Sequence, residues 1–420
     1  MLLRKINLKG LRRLLEMKVK STIRKIFKFI GFLLAVFVVC LFSTIVYLQF
    51  AEEKVVFDEE EAARVSYTPL KEVVPGKDLP FTGLFKSNNN VDIVKFNGRF
   101  YCSFRSAPTH FASAKTMLHV MSSTDGDKWE KEISFNYGSD VREPRFLVFK
   151  DKLFLYFFKG GANPLSFAPD HMYATEFVRE GQWTKPRKIY EPGYVVWRAK
   201  EHGGRAYMSV YYGVGLYSNE TNPTHLQLLI SDDGYNWKTV DGTDISTETS
   251  AEEGEFEFDD EGNLYATIRL EMKGGKVCYA PKERLSAWAC KFSPYKYDSA
   301  LMFRRGQDFY VIARRNVAGA YNRKSGLLPE TLRSKWYLAR YSLTRKRTAL
   351  YKLDKAKMEL LPVMDFPSRG DTAYAGLAQL SKDKYLMFNY SSDITGFDWS
   401  WLGGQLTGSR IYSTVLEFKE

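Results

Sequence analysis

Two stretches of the chain repeat an aspartate, a glycine and a tryptophan, and an aspartate repeated in this way could act as a general acid or base. They read SSTDGDKW, from Ser122 to Trp129, and SDDGYNW, from Ser231 to Trp237. Metal chemistry is not indicated, because the five histidines and four cysteines form no His-x-x-x-His or Cys-x-x-Cys pattern. No cofactor is expected either, since the chain has no glycine-rich loop of the kind that holds a nucleotide phosphate. The elements that carry the two aspartates decide whether these residues do chemistry or shape the backbone.

Six hairpins recur along the chain, each with an apolar run, a tight turn and a second run of alternating aromatic and β-branched residues. Their turn residues are separated by 53, 53, 58, 44 and 77 positions and are Gly98, Asp151, Gly204, Gly262, Gly306 and Asp383. Tryptophans recur at separations of 54, 54 and 51 positions, at Trp129, Trp183, Trp237 and Trp288. A period of this length with two hairpins per unit is typical of a four-stranded propeller blade. The sequence therefore predicts an all-β fold, a six-bladed β-propeller.

The two repeated stretches lie about 20 residues beyond the second strand of a hairpin, where the turn between the third and fourth strands of a blade belongs. An aspartate that accepts hydrogen bonds from the turn backbone, followed by a glycine free to take positive φ, makes such a turn. Asp125 and Asp233 are therefore predicted to be scaffold residues that do no chemistry.

The N-terminal region reads as a membrane anchor. Residues 29–50 carry no formal charge over 22 positions, which is enough for a helix to cross a bilayer and longer than the core of a signal peptide. Residues 1–28 carry a net charge of +9, out of +12 for the whole chain. The positive-inside rule then predicts a cytoplasmic N-terminus and an exported remainder, and the basic balance gives no reason to expect nucleic acid as a partner. The expected divisions are a basic segment (1–28), a transmembrane helix (29–50), a stem (51–80) and the propeller (81–420).

The repeated stretches resemble the Asp-boxes of the sialidase superfamily, although they are one residue shorter between aspartate and tryptophan than the commonest form. In the fourth unit, EEGEFEFDDEGNLYATIR is similar to a sialidase strand pair, which implies Glu253 as a catalytic base and Arg269 as part of a carboxylate clamp. In the sixth unit, DTAYAGLAQL resembles the strand that carries the nucleophilic tyrosine, which implies Tyr374. A phenol with a pKa near 10 needs a carboxylate to take its proton, so the tyrosine and a glutamate must converge in the central funnel.

Two departures from the sialidase pattern bear on the substrate. The first blade lacks the first arginine of the clamp and offers Asn90 and Asp92 in SNNNVDIV. The acid/base aspartate is replaced in FRSAPTHF by His110, a competent proton donor because an imidazole titrates near pH 6.5. The missing arginine argues against an ordinary sialic-acid substrate.

Further candidate ligands of the substrate lie near the predicted funnel. Arg105 shares a loop with His110, and loops of this kind concentrate function. Asp92 begins an inner strand and is expected to point toward the central opening. Other arginines could supply positive charge there, namely Arg145, Arg198 and Arg315.

These residues predict a membrane-anchored glycosidase of sialidase-like type that acts on extracytoplasmic glycans by a retaining mechanism, with Tyr374, Glu253 and His110 as catalytic residues. Two alternatives remain. VREPRF resembles the inner strand of five-bladed furanosidase-like propellers, with Glu143 and Asp92 as the two carboxylates, although six hairpins count against it. A glycan-binding or adhesion propeller without catalysis is the other, and the incomplete arginine clamp favours it.

Overall fold

The computed structural model describes residues 8–76, 78–214, 216, 222–322 and 329–419, in two units, Met1–Phe50 and Ala51–Glu420. The first unit contains one helix, α1 (Leu8–Phe50). Its stretch Glu16–Phe50 is long and apolar enough to cross a membrane, and a signal sequence near an N-terminus has the same properties.

The second unit contains six antiparallel sheets, which confirms the predicted six-bladed propeller. In chain order, the first five blades comprise β3 to β6 (Ser87–Phe96, Arg99–Ala107, Met117–Ser123, Glu130–Phe135), β7 to β11 (Asp140–Phe149, Lys152–Gly160, Pro169–Arg179, Gln182–Trp183, Arg187–Ile189), β12 to β15 (Val195–His202, Arg205–Gly213, Thr224–Ser231, Lys238–Thr239), β16 to β19 (Ala251–Phe258, Leu264–Leu270, Gly274–Ala280, Ala289–Ser293) and β20 to β23 (Asp298–Arg305, Asp308–Asn316, Lys346–Asp354, Glu359–Phe366). The first strands of neighbouring blades contact one another, so they form the inner wall of the ring.

The sixth blade is completed by the beginning of the propeller unit. Its strands β24 (Gly376–Ser381), β25 (Lys384–Ser391) and β26 (Arg410–Phe418) are joined by β1 (Val65–Tyr67) and β2 (Lys71–Val74), which both pair with β26. The segment for which the sequence predicts a stem thus contributes two strands to a blade, and pairing the beginning and the end of the propeller unit in one sheet closes the ring.

Within the described residues of the propeller unit, three α-helices lie outside the sheets. The short helix α2 (Glu59–Arg64) precedes β1. Helix α3 (Glu330–Ser342) lies between β21 and β22, and α4 (Trp401–Thr407) lies between β25 and β26. Because α3 and α4 contact each other, two insertions from neighbouring blades meet on one face of the propeller.

The repeated aspartates lie in turns between the third and fourth strands of their blades, as predicted. Asp125 Oδ1 accepts hydrogen bonds from the backbone N–H groups of Asp127 and Lys128, both at 2.8 Å, and these bonds lower the pKa of Asp125 to about 2. Gly126 has a φ of 80°, and Trp129 packs on Phe388 of the sixth blade with 5.4 Å between ring centroids. These contacts make the stretch a turn and a link between blades.

A disulfide joins Cys278 and Cys290, whose spacing in the sequence is compatible with a local bond. The two residues face each other across β18 and β19, so the bond ties the outer strands of the fourth blade. Cys102 is buried in β4 as a small apolar residue.

Candidate active site

Irregularities in the inner strands aim side chains at the axis of the propeller. The register of each of the first five inner strands shifts by a β-bulge, at Asn89/Asp92, Arg142/Arg145, Val196/Arg198, Glu252/Glu255 and Asp298/Leu301. At or beside these positions, and just before β24, residues other than glycine take positive φ: Asn90, Glu143, Glu253, Ser299 and Tyr374. All five line a single cavity of about 350 Å³. Positive φ is costly for such residues, and its recurrence around one cavity marks a functional site.

Tyr374 lies at the floor of this cavity beside Glu143. Neither the Tyr374 hydroxyl nor Glu143 Oε2 has another hydrogen-bond partner among the described residues. The two groups adjoin closely enough that burial and then the Glu143 carboxylate raise the pKa of Tyr374 well above its usual value. The other oxygen of Glu143 accepts a hydrogen bond from Asn90 Nδ2 at 3.2 Å. The structure thus gives Tyr374 a carboxylate neighbour that is oriented by the first blade.

Arg145 lies against the ring of Tyr374. Its guanidinium carbon is 3.9 Å from the centroid of that ring and 4.9 Å from that of Trp197. Arg145 is fully buried, its Nε donates to the Trp197 carbonyl at 2.5 Å, and Nη1 and Nη2 have no partner among the described residues. Arg145 opposes the rise in the pKa of Tyr374 because its positive charge favours the phenolate.

Glu253 faces the same cavity but is held by other groups. Its Oε1 accepts a hydrogen bond from Arg269, and its Oε2 accepts one from the backbone N–H of Ser299 at 2.8 Å. Burial raises the pKa of Glu253, and the charge of Arg269 opposes that rise. Arg269 also pairs with Glu271, whose carboxylate binds Lys296 Nζ at 2.5 Å. Both oxygens of Glu253 are therefore occupied, in contrast to Glu143.

His110 reaches the cavity from the loop after β4 and is paired with an aspartate. Its Nδ1 is 2.7 Å from Oδ2 of Asp371, whose Oδ1 accepts hydrogen bonds from Trp401 Nε1 at 3.0 Å and from the Tyr390 hydroxyl at 3.2 Å. The aspartate fixes the imidazole with Nδ1 toward Asp371 and leaves Nε2 to meet a ligand. Burial lowers the pKa of His110, and the charge of Asp371 opposes that decrease.

Three guanidinium groups line the cavity, and an acidic residue positions each of them. Arg142 donates from Nε to Asp140 at 2.5 Å, and Arg269 is held by Glu253 and Glu271. The third, Arg314, lies 3.5 Å from Asp298 and stacks 5.0 Å from the ring centroid of Trp401. Neither Arg142 nor Arg314 was among the residues predicted from the sequence, although Arg314 directly precedes the candidate Arg315.

The structure thus gathers four of the predicted site residues and separates four others. Tyr374, Glu253, His110 and Arg269 line the cavity. Arg105 is fully buried and binds Asp140, and Arg145 lies behind Tyr374. Asp92 and Arg198 line a second cavity of about 620 Å³ formed by later residues of the same inner strands. In it, Asp92 accepts a hydrogen bond from the backbone of Phe146 at 2.8 Å, and Arg198 binds Glu255 at 2.7 Å.

No family model and no curated protein matches the chain. Solved structures do match it. A Dyadobacter fermentans protein of unknown function aligns with a TM-score of 0.60 and 16% identity over 85% of this chain and 100% of its own. Trypanosoma rangeli sialidase aligns with a TM-score of 0.58 and 13% identity over 84% of this chain. The fold is that of the sialidases. A mutant of the Trypanosoma rangeli enzyme that displays trans-sialidase activity aligns with a TM-score of 0.57 and 12% identity over 86% of this chain.

This sialidase-like propeller spans 60% of the length of both Trypanosoma rangeli chains. The likeness confirms the predicted sialidase-like fold. Roles of individual residues rest on the geometry of the cavity.

Proposed function

We propose that this chain is a glycoside hydrolase of sialidase-like type, anchored through α1, that cleaves extracytoplasmic glycans with retention of configuration. The supporting observation is the pairing of Tyr374 with Glu143 at the cavity floor, where the phenol and one carboxylate oxygen adjoin without other partners among the described residues. A phenol needs such a base to become nucleophilic near neutral pH. We assign this role to Glu143, and we assign Glu253 to holding Arg269 in the cavity.

The reaction proceeds in two steps, formation of a covalent glycosyl–tyrosine intermediate and its hydrolysis. In the first, Tyr374 Oη bonds to the anomeric carbon and passes its proton to Glu143, while protonated His110 gives the proton on Nε2 to the departing oxygen. In the second, water attacks the anomeric carbon and gives a proton to His110, and Tyr374 leaves with the proton returned by Glu143. Asp371 stabilises the protonated imidazole during the cycle.

The lining of the cavity suits a polyhydroxylated ligand. It presents three guanidinium groups, from Arg142, Arg269 and Arg314, and carboxylates that include Glu143 and Glu253. This set offers hydrogen-bond donors and acceptors in close alternation, which sugar hydroxyls can use in both directions. Aromatic rings on the same walls can stack on a sugar face, namely Phe111, Phe167, Tyr390 and Trp401.

Hydrolysis of chromogenic glycosides tests the proposal. The full-length protein is assayed against a panel of sialosides, uronides and neutral glycosides, and the stereochemistry of the first product is read by NMR. Tyr374→Phe and Glu143→Gln are expected to reduce kcat at least about a hundredfold, because each removes a participant in covalent catalysis. Tyr265→Phe, in the outer part of the fourth blade, is the matched control and should retain full activity. Inversion of configuration, or an active Tyr374→Phe variant, would refute the tyrosine mechanism.

A glycan-binding propeller without catalysis is the second candidate, and one observation favours it. The first-blade stretch SNNNVDIV has no arginine where the sialidase pattern has one and offers Asn90 and Asp92 instead, so the clamp differs from that of the enzymes the sequence resembles. Binding of the same glycans by the wild type and by Tyr374→Phe, without turnover of any of them, would establish this function.

A further inference from the structure

A group of exposed apolar residues, which we call the apolar rim, lies on and beside the contacting helices α3 and α4. Its members come from α3, from α4 and from the segment before α4, and they are Leu332, Trp336, Phe397, Trp399, Leu402 and Leu406. Leu402 lines the cavity itself, so the surface adjoins the site. Exposed apolar patches of this kind mark surfaces that bind a partner or a membrane.

Helix geometry separates the functions of the α3 faces. Tyr337 and Tyr341, one turn apart, are buried against the propeller, and Leu338 lines the cavity. Leu332 and Trp336, also four residues apart, share a different face and are exposed. Because Lys335 is exposed next to them, this face combines apolar side chains with a cation, as interfacial helices do. In α4, Leu402 and Leu406 repeat the same four-residue spacing.

The propeller chain begins beside this rim. Glu52 Oε2 binds Arg345 Nη2 at 3.0 Å, and Arg345 Nη1 is 3.4 Å from Asp398 Oδ2. Asp398 lies between Phe397 and Trp399 in the chain, so one arginine links the first residues of the propeller unit to the apolar rim.

A second set of contacts holds α3 to the same place. The backbone N–H of Glu53 donates to the Val317 carbonyl at 2.9 Å. Arg340 of α3 donates to the carbonyls of the next residues in that loop, to Ala318 at 2.9 Å and to Ala320 at 3.2 Å. Both parts of the rim are therefore fixed near the point at which the chain enters the propeller.

Covalent connectivity then places the rim near a bilayer. The uncharged stretch 29–50 would be about 33 Å long as a helix, close to the ~30 Å thickness of a bilayer core. Glu52 follows its last residue by two positions, and two residues reach at most about 7 Å. Where residues 29–50 cross a bilayer, the chain therefore tethers Glu52 to within about 7 Å of the end of that span.

We propose that the apolar rim docks on the bilayer in which α1 is anchored and that the cavity receives glycans linked to lipids of that bilayer. Trp336, Phe397 and Trp399 enter the headgroup boundary, where aromatic side chains partition well. With its mouth at this boundary, the cavity is within reach of a glycan that is linked to a lipid of the same bilayer. A soluble glycan has to diffuse to the cavity from the aqueous phase. The substrate part of this proposal rests on the glycosidase function, whereas the docking part does not.

Lipid quenching tests the docking in the full-length protein without any activity. A Cys40→Ala background is reconstituted in nanodiscs of palmitoyl-oleoyl phosphatidylcholine, with a fluorophore on Trp399→Cys or, as control, on Val178→Cys, an exposed position in β9. Doxyl-labelled phosphatidylcholine should quench the label at 399 at least about threefold more than that at 178, because interfacial side chains lie roughly 5–10 Å into the boundary. Equal quenching at both positions would overturn the proposal. A label at 399 shielded by a second copy, seen as dimers in single-particle mass measurements, would overturn it too.

The substrate part is tested with one glycan presented in two ways. A rim variant with Trp336, Phe397, Trp399 and Leu406 changed to serine is compared with a control in which Val178, Val214, Phe292 and Leu380 are changed to serine. The rim variant should lose about tenfold in turnover of the lipid-linked glycan and stay within about twofold on the soluble form, since it loses only interfacial partitioning. Equal losses on both forms would contradict lipid selection. If the wild type turns over neither form, the glycosidase proposal fails and the quenching result alone decides the docking.

Discussion

Arg145 offers the sharpest test of the tyrosine chemistry, because its effects on activity and stability should have opposite signs. Its guanidinium carbon lies 3.9 Å from the ring centroid of Tyr374. With the phenol oxygen about 3 Å from that centroid, the separation is about 5 Å, and two unit charges then interact by about 3 kcal/mol at an effective dielectric of about 20. With about half a charge on the oxygen in the transition state, Arg145 contributes about 1.5 kcal/mol, or roughly tenfold in rate.

The stability of the fold responds differently. Arg145 is fully buried, and its Nη1 and Nη2 atoms have no partner among the described residues. A buried donor left unsatisfied costs about 1–3 kcal/mol, and removing two of them offsets the loss of the Nε hydrogen bond to the Trp197 carbonyl. Arg145→Met should therefore reduce kcat about tenfold while the unfolding temperature stays the same or rises. If Arg145 served only packing, its substitution would lower both kcat and the unfolding temperature.

Steady-state kinetics and thermal unfolding of three proteins settle the matter. Arg145→Lys is the matched control, because it keeps the charge and should recover part of the rate that Arg145→Met loses. The electrostatic reasoning is refuted if Arg145→Met keeps more than half of the wild-type kcat, or if the lysine and methionine variants are equally slow. A large fall in the unfolding temperature of Arg145→Met would assign it a structural role.

Three further outcomes follow from contacts described above. Because His110 must be protonated to donate and burial lowers its pKa, the activity should fall as pH rises, with a midpoint below the usual 6.5. Asp371→Asn removes the charge that opposes this decrease, so it should move that limb of the pH–rate profile to still lower pH. A limb that stays in place would contradict the pairing of His110 with Asp371. Replacing Cys278 and Cys290 with serine should reduce the free energy of unfolding by about 3 kcal/mol relative to the disulfide-bonded wild type, the value for a short closed loop. Denaturant titration measures this loss, and the reduced wild type should show the same one. Asp125→Ala should lower the unfolding temperature and leave kcat unchanged, since the Asp125 carboxylate accepts hydrogen bonds from its own turn. A fall in kcat without loss of stability would instead indicate that Asp125 takes part in catalysis.

The six-bladed architecture was predictable because its turns and blade lengths depend on short sequence patterns that recur along the chain. Turn glycines such as Gly98 and Gly204 take positive φ in the structure, at values of 80° and 77°, and turn chemistry of this kind needs no tertiary information. The spacing of Trp129 and its equivalents set the length of a blade. Closure of the ring by β1 and β2 escaped prediction because three- and four-residue strands at an edge carry little periodic signal.

The candidate site was predictable only in part, because β-bulges change which side chains face the axis. The bulge between Arg142 and Arg145 inserts an extra residue into β7, so a strict alternation of faces does not carry through it; Arg142 and Glu143 line the cavity, and Arg145 lies behind Tyr374. Adjacent residues of a strand face opposite sides, which is why Arg314 lines the cavity and Arg315 binds Asp365. Bulges depend on neighbouring blades, so a single sequence does not reveal them.

Asp371 illustrates a different limit. It lies three residues before Tyr374, outside the regular strands, and its partner His110 is 261 positions away. The pairing arises because the sixth blade packs against the first, and a contact between such distant residues cannot be predicted from local sequence patterns. Helices α3 and α4 bring Leu338 and Trp401 to the cavity by the same kind of long-range placement.

The positions of β1 and β2 also determine where proteolysis between α1 and the propeller would leave the propeller intact. Because β1 and β2 belong to the sixth blade, a protease cut after residue 74 would separate two strands from β26 and open the ring. A cut within residues 51–58, before α2, would instead free a closed propeller with its cavity intact. Those eight positions precede α2 and both closing strands, so cleavage there leaves β1 and β2 paired with β26.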